Sequence, residues 1–356
     1  MRSKKATLAK SKTVYIGLSG GVDSSVTAYL LKKQGYEVVG VYMKNWSKDL
    51  PGFECPWFED YQDAKRVAVQ LGVDFKMFDF ETEYKQLVVD YMIDEYTKGR
   101  TPNPDIMCNQ EIKFRLFLQA CQKDGADFIA TGHYAKTKDG KLFCAKDDNK
   151  DQTYFLYRVT NEALEKSMFP LGDLTKKEVR QIAKEQNLIT ATKKESMGVC
   201  FVGKVGIKDF LSNYVKTSPG KIVDSNNQVV GEHDGAIFYT VGQRHGLNAG
   251  GGRPYYVTGK DMKTNTVYVT TKLDDAKLWT KQIELIDVHW IGRKPNKVEK
   301  LQVRLRHRGP LVQVESIVFK KDKLSLVLAN EERAVTSGQS AVLYSGQEVL
   351  GGGIVV

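Results

Sequence analysis

Apolar and polar positions follow two different rhythms along this chain, and the change falls a little past its middle. In the first part, short apolar runs at 14–18, 38–43, 73–78 and 128–131 read as buried strands. Between them, apolar residues recur every three or four positions. This predicts helices over 26–34, 60–71 and 81–98, and another on the face made by Ile112, Leu116, Phe117, Ala120 and Cys121. Gly35 and Gly72 stand where C-terminal caps belong. Strands alternating with helices predict an α/β domain, a doubly wound parallel sheet with helices on both faces.

Beyond about residue 206 the helical rhythm thins. Short β runs with Gly, Asn and Asp between them take over, at 236–241, 255–258, 266–271, 301–306, 324–328 and 341–344. Ser345-Gly346 reads as the turn of a closing hairpin. The prediction is two small, mainly β domains after the α/β domain, the last a β-barrel. The expected division is 1–206, 207–275 and 276–356. A length of 356 residues fits two or three domains at roughly 150 residues each.

Composition narrows the class. Charged residues make up 27% and apolar ones 41%, with a mean hydropathy of −0.39, which excludes disordered and collagen-like chains. No run of about 18 apolar residues occurs, so no membrane span and no membrane partner are expected. Lys and Arg number 53 against 43 Asp and Glu, a net charge of +10, and a polyanion such as nucleic acid is the favoured partner. Five cysteines, widely spaced and without a CxxC pair, speak against structural zinc and against a secreted disulfide framework. The first twelve residues are basic and lack an apolar stretch. They read as a basic arm of a cytoplasmic protein rather than a secretory signal.

Ser19-Gly20-Gly21-Val22-Asp23-Ser24-Ser25 lies between the first strand and the first helix. Glycines let the backbone approach an anion, and a helix N-terminus directs N–H groups and partial positive charge at it. It is not a Walker loop, and a plain tight turn is the simpler alternative. Downstream, Asn103-Pro104-Asp105-Ile106-Met107-Cys108-Asn109 precedes a helix. Cys108 is therefore expected near a helix N-terminus, a place that favours thiolate; a buried cysteine beside an Asx turn is the alternative. Asp105 is a candidate base. Cys200, in Gly198-Val199-Cys200-Phe201, reads either as a core cysteine or as a second reactive thiol. Cys121 and Cys144 fall in apolar patterns and read as structural, and Cys55 is unassigned. Arg304, Arg306 and Arg308 alternate, so on one strand they form a basic stripe suited to phosphates, or a solvated face.

The loop resembles the SGGxDS motif of the PP-loop ATP pyrophosphatases, which cleave ATP between its α and β phosphates. Seven segments in order resemble the tRNA-specific 2-thiouridylase (MnmA/TrmU) family. They are 17–25; 103–109; Ala130-Thr131-Gly132-His133-Tyr134-Ala135; 150–156; 198–201; 239–247; and 337–342. The resemblance implies ATP-dependent 2-thiolation of the wobble uridine of tRNA-Lys, tRNA-Glu and tRNA-Gln. The C2 oxygen would be adenylated and sulfur would come from a cysteine persulfide. It implies that Cys200 holds the persulfide, that Cys108 resolves it, and that the two form a transient disulfide. Gly17, Leu18, Ser19, Gly20, Gly21, Val22, Asp23, Ser24, Met43 and Gly132 would bind ATP, with Asp23 placing Mg2+. Asn103, Pro104 and Asp105 would meet the target base. His133, Lys150, Asp151, Gln152, Arg306, His307 and Gln339 would contact tRNA. The partners implied are tRNA and a sulfur donor, either a persulfide relay carrier or a cysteine desulfurase. A PP-loop synthetase acting on a small molecule explains the loop but not the two cysteines or the basic β tail. An RNA-binding module with a dead nucleotide loop is opposed by the intact motif.

Overall fold

Val14 and Ile16 point to one side of the first strand and Tyr15 to the other, and this alternation builds two cores. A computed structural model describes residues 11–49, 55–194, 206–250, 252–295 and 300–356. In the α/β part, β1 (Thr13–Gly17), α1 (Val22–Lys33), β2 (Glu37–Lys44), α2 (Trp57–Leu71) and β3 (Asp74–Asp79) follow in turn. The helix α3 (Glu81–Tyr84) runs through a π-helical stretch, Lys85–Val89, into α4 (Asp90–Thr97). A second composite helix joins α5 (Pro104–Met107), a π-helical stretch Cys108–Leu116 and α6 (Phe117–Lys123). Then come β4 (Phe128–Ala130), the hairpin β5 (Lys136–Lys138) and β6 (Lys141–Phe143), α7 (Asn161–Glu165), β7 (Ser167–Met168) and α8 (Lys176–Glu185).

The sheet is parallel, in the order β3-β2-β1-β4-β7. Val14, Ile16 and Tyr42 pack with Ala28 and Leu31 of α1 and with Ala64 and Val67 of α2. On the opposite face, Tyr15, Val39 and Val41 pack with Tyr84, Met92, Ile112 and Phe117. The chain leaves β1 toward β2 on one side and returns to β4 on the other. The crevice beyond their C-terminal ends is the topological switch point, where open α/β sheets bind ligands. The first helix starts four residues earlier than its apolar rhythm predicts, at Val22, so the loop acid and serines form its opening turn.

After α9 (Ile207–Ser212), the strands β8 (Gly220–Val223), β9 (Val229–His233), β10 (Tyr256–Asp261) and β11 (Thr266–Thr270) form a small sheet in the order β10-β11-β8-β9. The strand expected over 236–241 is absent there. Gly235, at φ +151°, turns the chain into a 3-10 turn at Ala236–Phe238, pinned by Asn265 Oδ1 accepting from Ala236 N at 2.9 Å. The last six strands are β12 (Trp279–Trp290), β13 (Gln302–Arg304), β14 (Val312–Phe319), β15 (Leu324–Arg333), β16 (Ser340–Ser345) and β17 (Glu348–Val355). They are antiparallel, and β12 pairs with both β15 and β17, which closes the barrel. The expected hairpin turn at Ser345-Gly346 joins β16 to β17. The α/β domain's own hairpin adds to the barrel, since β6 pairs with β17.

The expected basic stripe does not form. The strand β13 ends at Arg304, and the chain turns through Arg306 to Arg308, which has φ +59°. Arg304 lies inward, 3.5 Å from Asp151 and with its guanidinium 5.2 Å from the centre of the Tyr344 ring, while Arg306 and Arg308 are exposed.

Candidate active site

The Gly-rich loop is held by its own serines. Ser24 Oγ accepts from Ser19 N at 3.2 Å and donates to Gly21 O at 3.1 Å, and Ser25 Oγ donates to Gly21 O at 2.8 Å. Gly20 adopts φ +71°, and a Cβ there would stand 2.5 Å from Asp60 O, so both conformation and space demand glycine. Gly132, after β4, lies against the loop; its Cβ would stand 2.9 Å from Ser24 N. Gly17 backs onto the Met43 methyl in the same way. Leu18, Ser19, Gly21, Val22, Asp23 and Met43 line a cavity of about 510 Å³, with Gly17, Gly20, Ser24 and Gly132 immediately behind. All ten residues expected at the nucleotide therefore meet at the switch point.

The cavity is rich in cations, contributed by Lys113, Lys150, Lys193, Lys194 and Arg308. Lys193 Nζ donates to Asp60 Oδ1 at 2.8 Å and to Asp63 Oδ2 at 2.7 Å, tying the segment after α8 to α2. Lys176, the first residue of α8, donates to both carboxylate oxygens of Asp23. Tyr134 OH donates to Asp23 Oδ1 at 2.9 Å. Sequence reasoning passed over Lys113, Lys176, Lys193 and Lys194, while Arg308 was read as part of a basic stripe rather than as a neighbour of the nucleotide loop. A visible signal existed only for Lys176, because Thr175 and Glu178 form a capping box that fixes the start of its helix.

Asn103 is extended at φ −114° and caps α5, Pro104 takes the first helical position, and Asp105 follows. Burial raises the Asp105 carboxyl, and the Lys113 ammonium pulls it back down. Cys108 comes one turn later, where the α-helix passes into the π-helical stretch, and is 3% exposed within the main core. It is enclosed rather than presented at an open helix end. Cys200 lies outside the described residues, with all of 195–205; Lys193 and Lys194 on its N-terminal side line the cavity. Cys121 is core, and burial pushes its thiol up. Cys144 is half-buried near Thr153, and burial pushes its thiol up to about 11. Cys55 lines the cavity, its Sγ 3.6 Å from Trp46 O.

The residues expected at tRNA divide into two groups. Lys150, Gln152 and His307 line the cavity, and Arg306 faces a neighbouring groove. The His307 ring packs 4.5 Å from that of Phe155. Burial, then the Arg308 and Arg304 charges, lower it to about 4, so it is neutral at pH 7. His133 and Asp151 are placed otherwise. His133 is buried against Phe114 and Phe169, bonded through Nδ1 to Thr131 Oγ1 at 2.7 Å and held well below its usual range by burial. Asp151 is buried too, accepting from Ala145 N at 2.7 Å and from Thr153, and facing Arg304. Both side chains are buried: His133 braces the α/β domain, and Asp151 stands at its join to the barrel. Gln339 is half-buried and donates to Thr101 O at 2.8 Å.

Among the described residues no helix is long and apolar enough to cross a membrane. Three family models match the chain: a tRNA methyl transferase HUP domain over residues 12–204, a tRNA methyl transferase PRC-barrel domain over 208–271, and an aminomethyltransferase beta-barrel domain over 280–355. The tRNA-specific 2-thiouridylase MnmA of Geobacillus thermodenitrificans is 45% identical over 348 residues, covering 96% of this chain and 94% of its own. That of Bacillus subtilis is 45% identical over 350 residues, with the same coverage. That of Exiguobacterium sibiricum is 44% identical over 358 residues, covering 99% of this chain and 96% of its own. The domain descriptions speak of methyl transfer, and the names of these nearly full-length relatives speak of thiolation.

Proposed function

The chain belongs to the tRNA-specific 2-thiouridylase family, and from that membership we propose the course of its reaction and the residues that carry it. It is a tRNA sulfurtransferase that makes 2-thiouridine and uses ATP. The target is the wobble uridine of tRNA-Lys, tRNA-Glu and tRNA-Gln. The uridine C2 oxygen attacks the α-phosphorus of ATP and pyrophosphate leaves, which makes AMP a leaving group at C2. The terminal sulfur of a persulfide on Cys200 attacks C2, and AMP departs. The Cys108 thiolate then attacks Cys200 Sγ, and the bond to the transferred sulfur breaks. The products are 2-thiouridine and a Cys108–Cys200 disulfide. That bond requires Cα atoms within about 7 Å of each other. A dithiol reductant supplies two electrons to reopen it, and a carrier protein or cysteine desulfurase in the cytoplasm reloads the persulfide.

The loop from Gly17 to Ser24, with Met43 and Gly132, suits the nucleotide, because it offers backbone N–H groups at a helix N-terminus inside a cationic cavity. Mg2+ would neutralise phosphate charge there. Asp23 would be its protein ligand beside the phosphate oxygens. Asn103, Pro104 and Asp105 would hold the uridine edge. The raised carboxyl of Asp105 is suited to exchanging a proton with it. Lys150, Gln152, Arg306 and His307 would take the anticodon arm.

One observation carries this reading. The nucleotide loop and the barrel turn bearing His307 and Arg308 line the same cavity, which supports a reaction in which ATP and an RNA held by the β domain would meet there. The test is sulfur incorporation into unmodified tRNA-Lys with ATP, Mg2+ and a persulfide source, wild type against Cys200→Ser. The expected result is 2-thiouridine with wild type alone and tRNA-dependent pyrophosphate release with both. Undiminished thiolation by Cys200→Ser removes its persulfide role. AMP formation without thiolation by either protein points to a small-molecule acceptor.

A further inference from the structure

Thr101 stands two residues before Asn103, and every hydrogen-bonding group it has is committed to another domain. Its N–H donates to Ser337 O of the barrel at 2.9 Å. Its carbonyl accepts from Gln339 Nε2 of the barrel at 2.8 Å. Its hydroxyl shares a hydrogen bond with the hydroxyl of Thr240, in the central domain, at 3.1 Å. The fit is close: Gly338 is at φ +90°, and a Cβ there would stand 2.7 Å from Thr101 N. On the other side, Arg100 is ion-paired to Glu95, which is buried at the end of α4. Gly99 lies against Met262 of the central domain in the same manner. One short stretch of the α/β domain is thus where all three domains meet.

The connector onward is stiff. Pro102 and Pro104 each fix a φ torsion, and Thr101 and Asn103, each preceding a proline, are confined to extended conformations. Asn103 shows this at φ −114°, ψ 95°. Few soft torsions therefore separate Thr101 from Asp105 and the helix turn that ends at Cys108. A shift imposed on Thr101 is passed forward instead of being absorbed.

We propose that Thr101 is a positioning residue: the central and barrel domains grip it, and through the Pro102–Pro104 connector they set where Asn103, Asp105 and Cys108 stand relative to the target base. The proposal rests on the assignment of those three residues to the uridine and its sulfur transfer. Under it, Gln339 acts on the reaction through Thr101. RNA docked across the two β domains aligns the chemistry by holding them, and with them Thr101, in one arrangement.

The test uses the full chain, unmodified tRNA-Lys, ATP, Mg2+ and a persulfide source, with single-turnover thiolation measured at saturating enzyme. Thr101→Val keeps shape and backbone bonds but removes the hydroxyl. Displacements of this kind cost up to about a hundredfold in rate; loss of one of three tethers is expected to slow thiolation about tenfold, with tRNA and ATP affinity within about twofold of wild type. Thr101→Ser restores the rate. Thr240→Val removes the same bond from the other domain and produces the same loss, and the double variant is no slower than either single one, because one bond is shared. A wild-type rate in both valine variants overturns the proposal. So does a loss that appears only as weakened tRNA binding, or failure of serine to restore the rate. If Thr101→Val does not fold, as its melting curve will show, Thr240→Val decides alone. Absence of thiolation by wild type is a separate outcome, and it strikes the reaction assignment instead.

Discussion

The Lys176 ammonium lies 2.7 Å from one carboxylate oxygen of Asp23 and 2.8 Å from the other, which joins the first turn of α8 to the first turn of α1 across the nucleotide loop. Asp23 was marked by its motif; Lys176 was not. The pair is electrically neutral as it stands. Removing either partner therefore changes the charge that a triphosphate meets, in opposite directions.

Lys176→Met leaves an uncompensated carboxylate in the path of a polyanion. ATP should bind more weakly and tRNA-dependent pyrophosphate release at fixed ATP should fall, about a hundredfold for loss of one well-placed electrostatic group. Asp23→Asn leaves the ammonium instead. It should keep ATP affinity near wild type while the maximal adenylation rate drops, since under the proposed function Asp23 would be the protein ligand of Mg2+. Pyrophosphate release measured against ATP concentration separates the two; matching changes in KM for both variants would reject the assignment.

The ion pair of buried Asp151 with partly buried Arg304 links the α/β domain to the barrel. Arg304→Met strands the carboxylate and should cost about 3 kcal/mol of stability at pH 7. Burial raises the Asp151 carboxyl, offset by bonds from Thr153 and Ala145 and by the Arg304 charge. Without Arg304 it rises further. The folded state then holds a proton that the unfolded state has released, so stability falls as pH climbs above about 4 toward the folded value. Denaturant melts should accordingly show a larger deficit at pH 7 than at pH 4.

Lys260 packs beside the Gly99 turn and donates to Tyr239 O at 2.7 Å. Burial pushes its ammonium down to about 8 from 10.5. Between those values the unfolded chain binds the extra proton, so the contribution of Lys260 to stability improves as pH rises. Lys260→Met removes this dependence. Whatever constant cost follows from leaving the Tyr239 carbonyl unpaired, wild type should gain on the variant in thermal melts between pH 8 and pH 10. A constant gap across that range would show that the lysine titrates normally.

Arg306 and Arg308 are exposed on the β13–β14 turn. Binding of tRNA should weaken steeply with salt, and alanine at either position should lower the slope of log K against log salt by about one, with little dependence on tRNA sequence. An unchanged slope would remove that arginine from the phosphate contacts.

The fold was legible where one rhythm dominated. The run at 14–18 is apolar on both sides because helices cover both faces of the sheet, and its strand and the following loop lie where that pattern puts them. The run at 236–241 misled because apolar residues after Gly235 fill the central core from a 3-10 turn as readily as from a strand. The arginines at 304, 306 and 308 misled for a related reason. Alternation implies a shared face only while the strand continues, and β13 stops at the first of them.

What the sequence determined by itself is local: the glycines and serines of the nucleotide loop, the Pro-framed approach to Cys108, and the order of an α/β domain followed by two β domains. These are properties of neighbouring residues, whose torsions and periodicity are fixed within a few positions. The tertiary structure decided which distant groups meet. It placed Lys176 on Asp23, 153 positions away, and Gln339 on Thr101, 238 positions away. It buried His133 and Asp151, and it brought His307 and Arg308 of the barrel to the nucleotide cavity. Such meetings follow from how sheets and a barrel pack together, a global balance of burial and hydrogen bonding that local pattern does not carry.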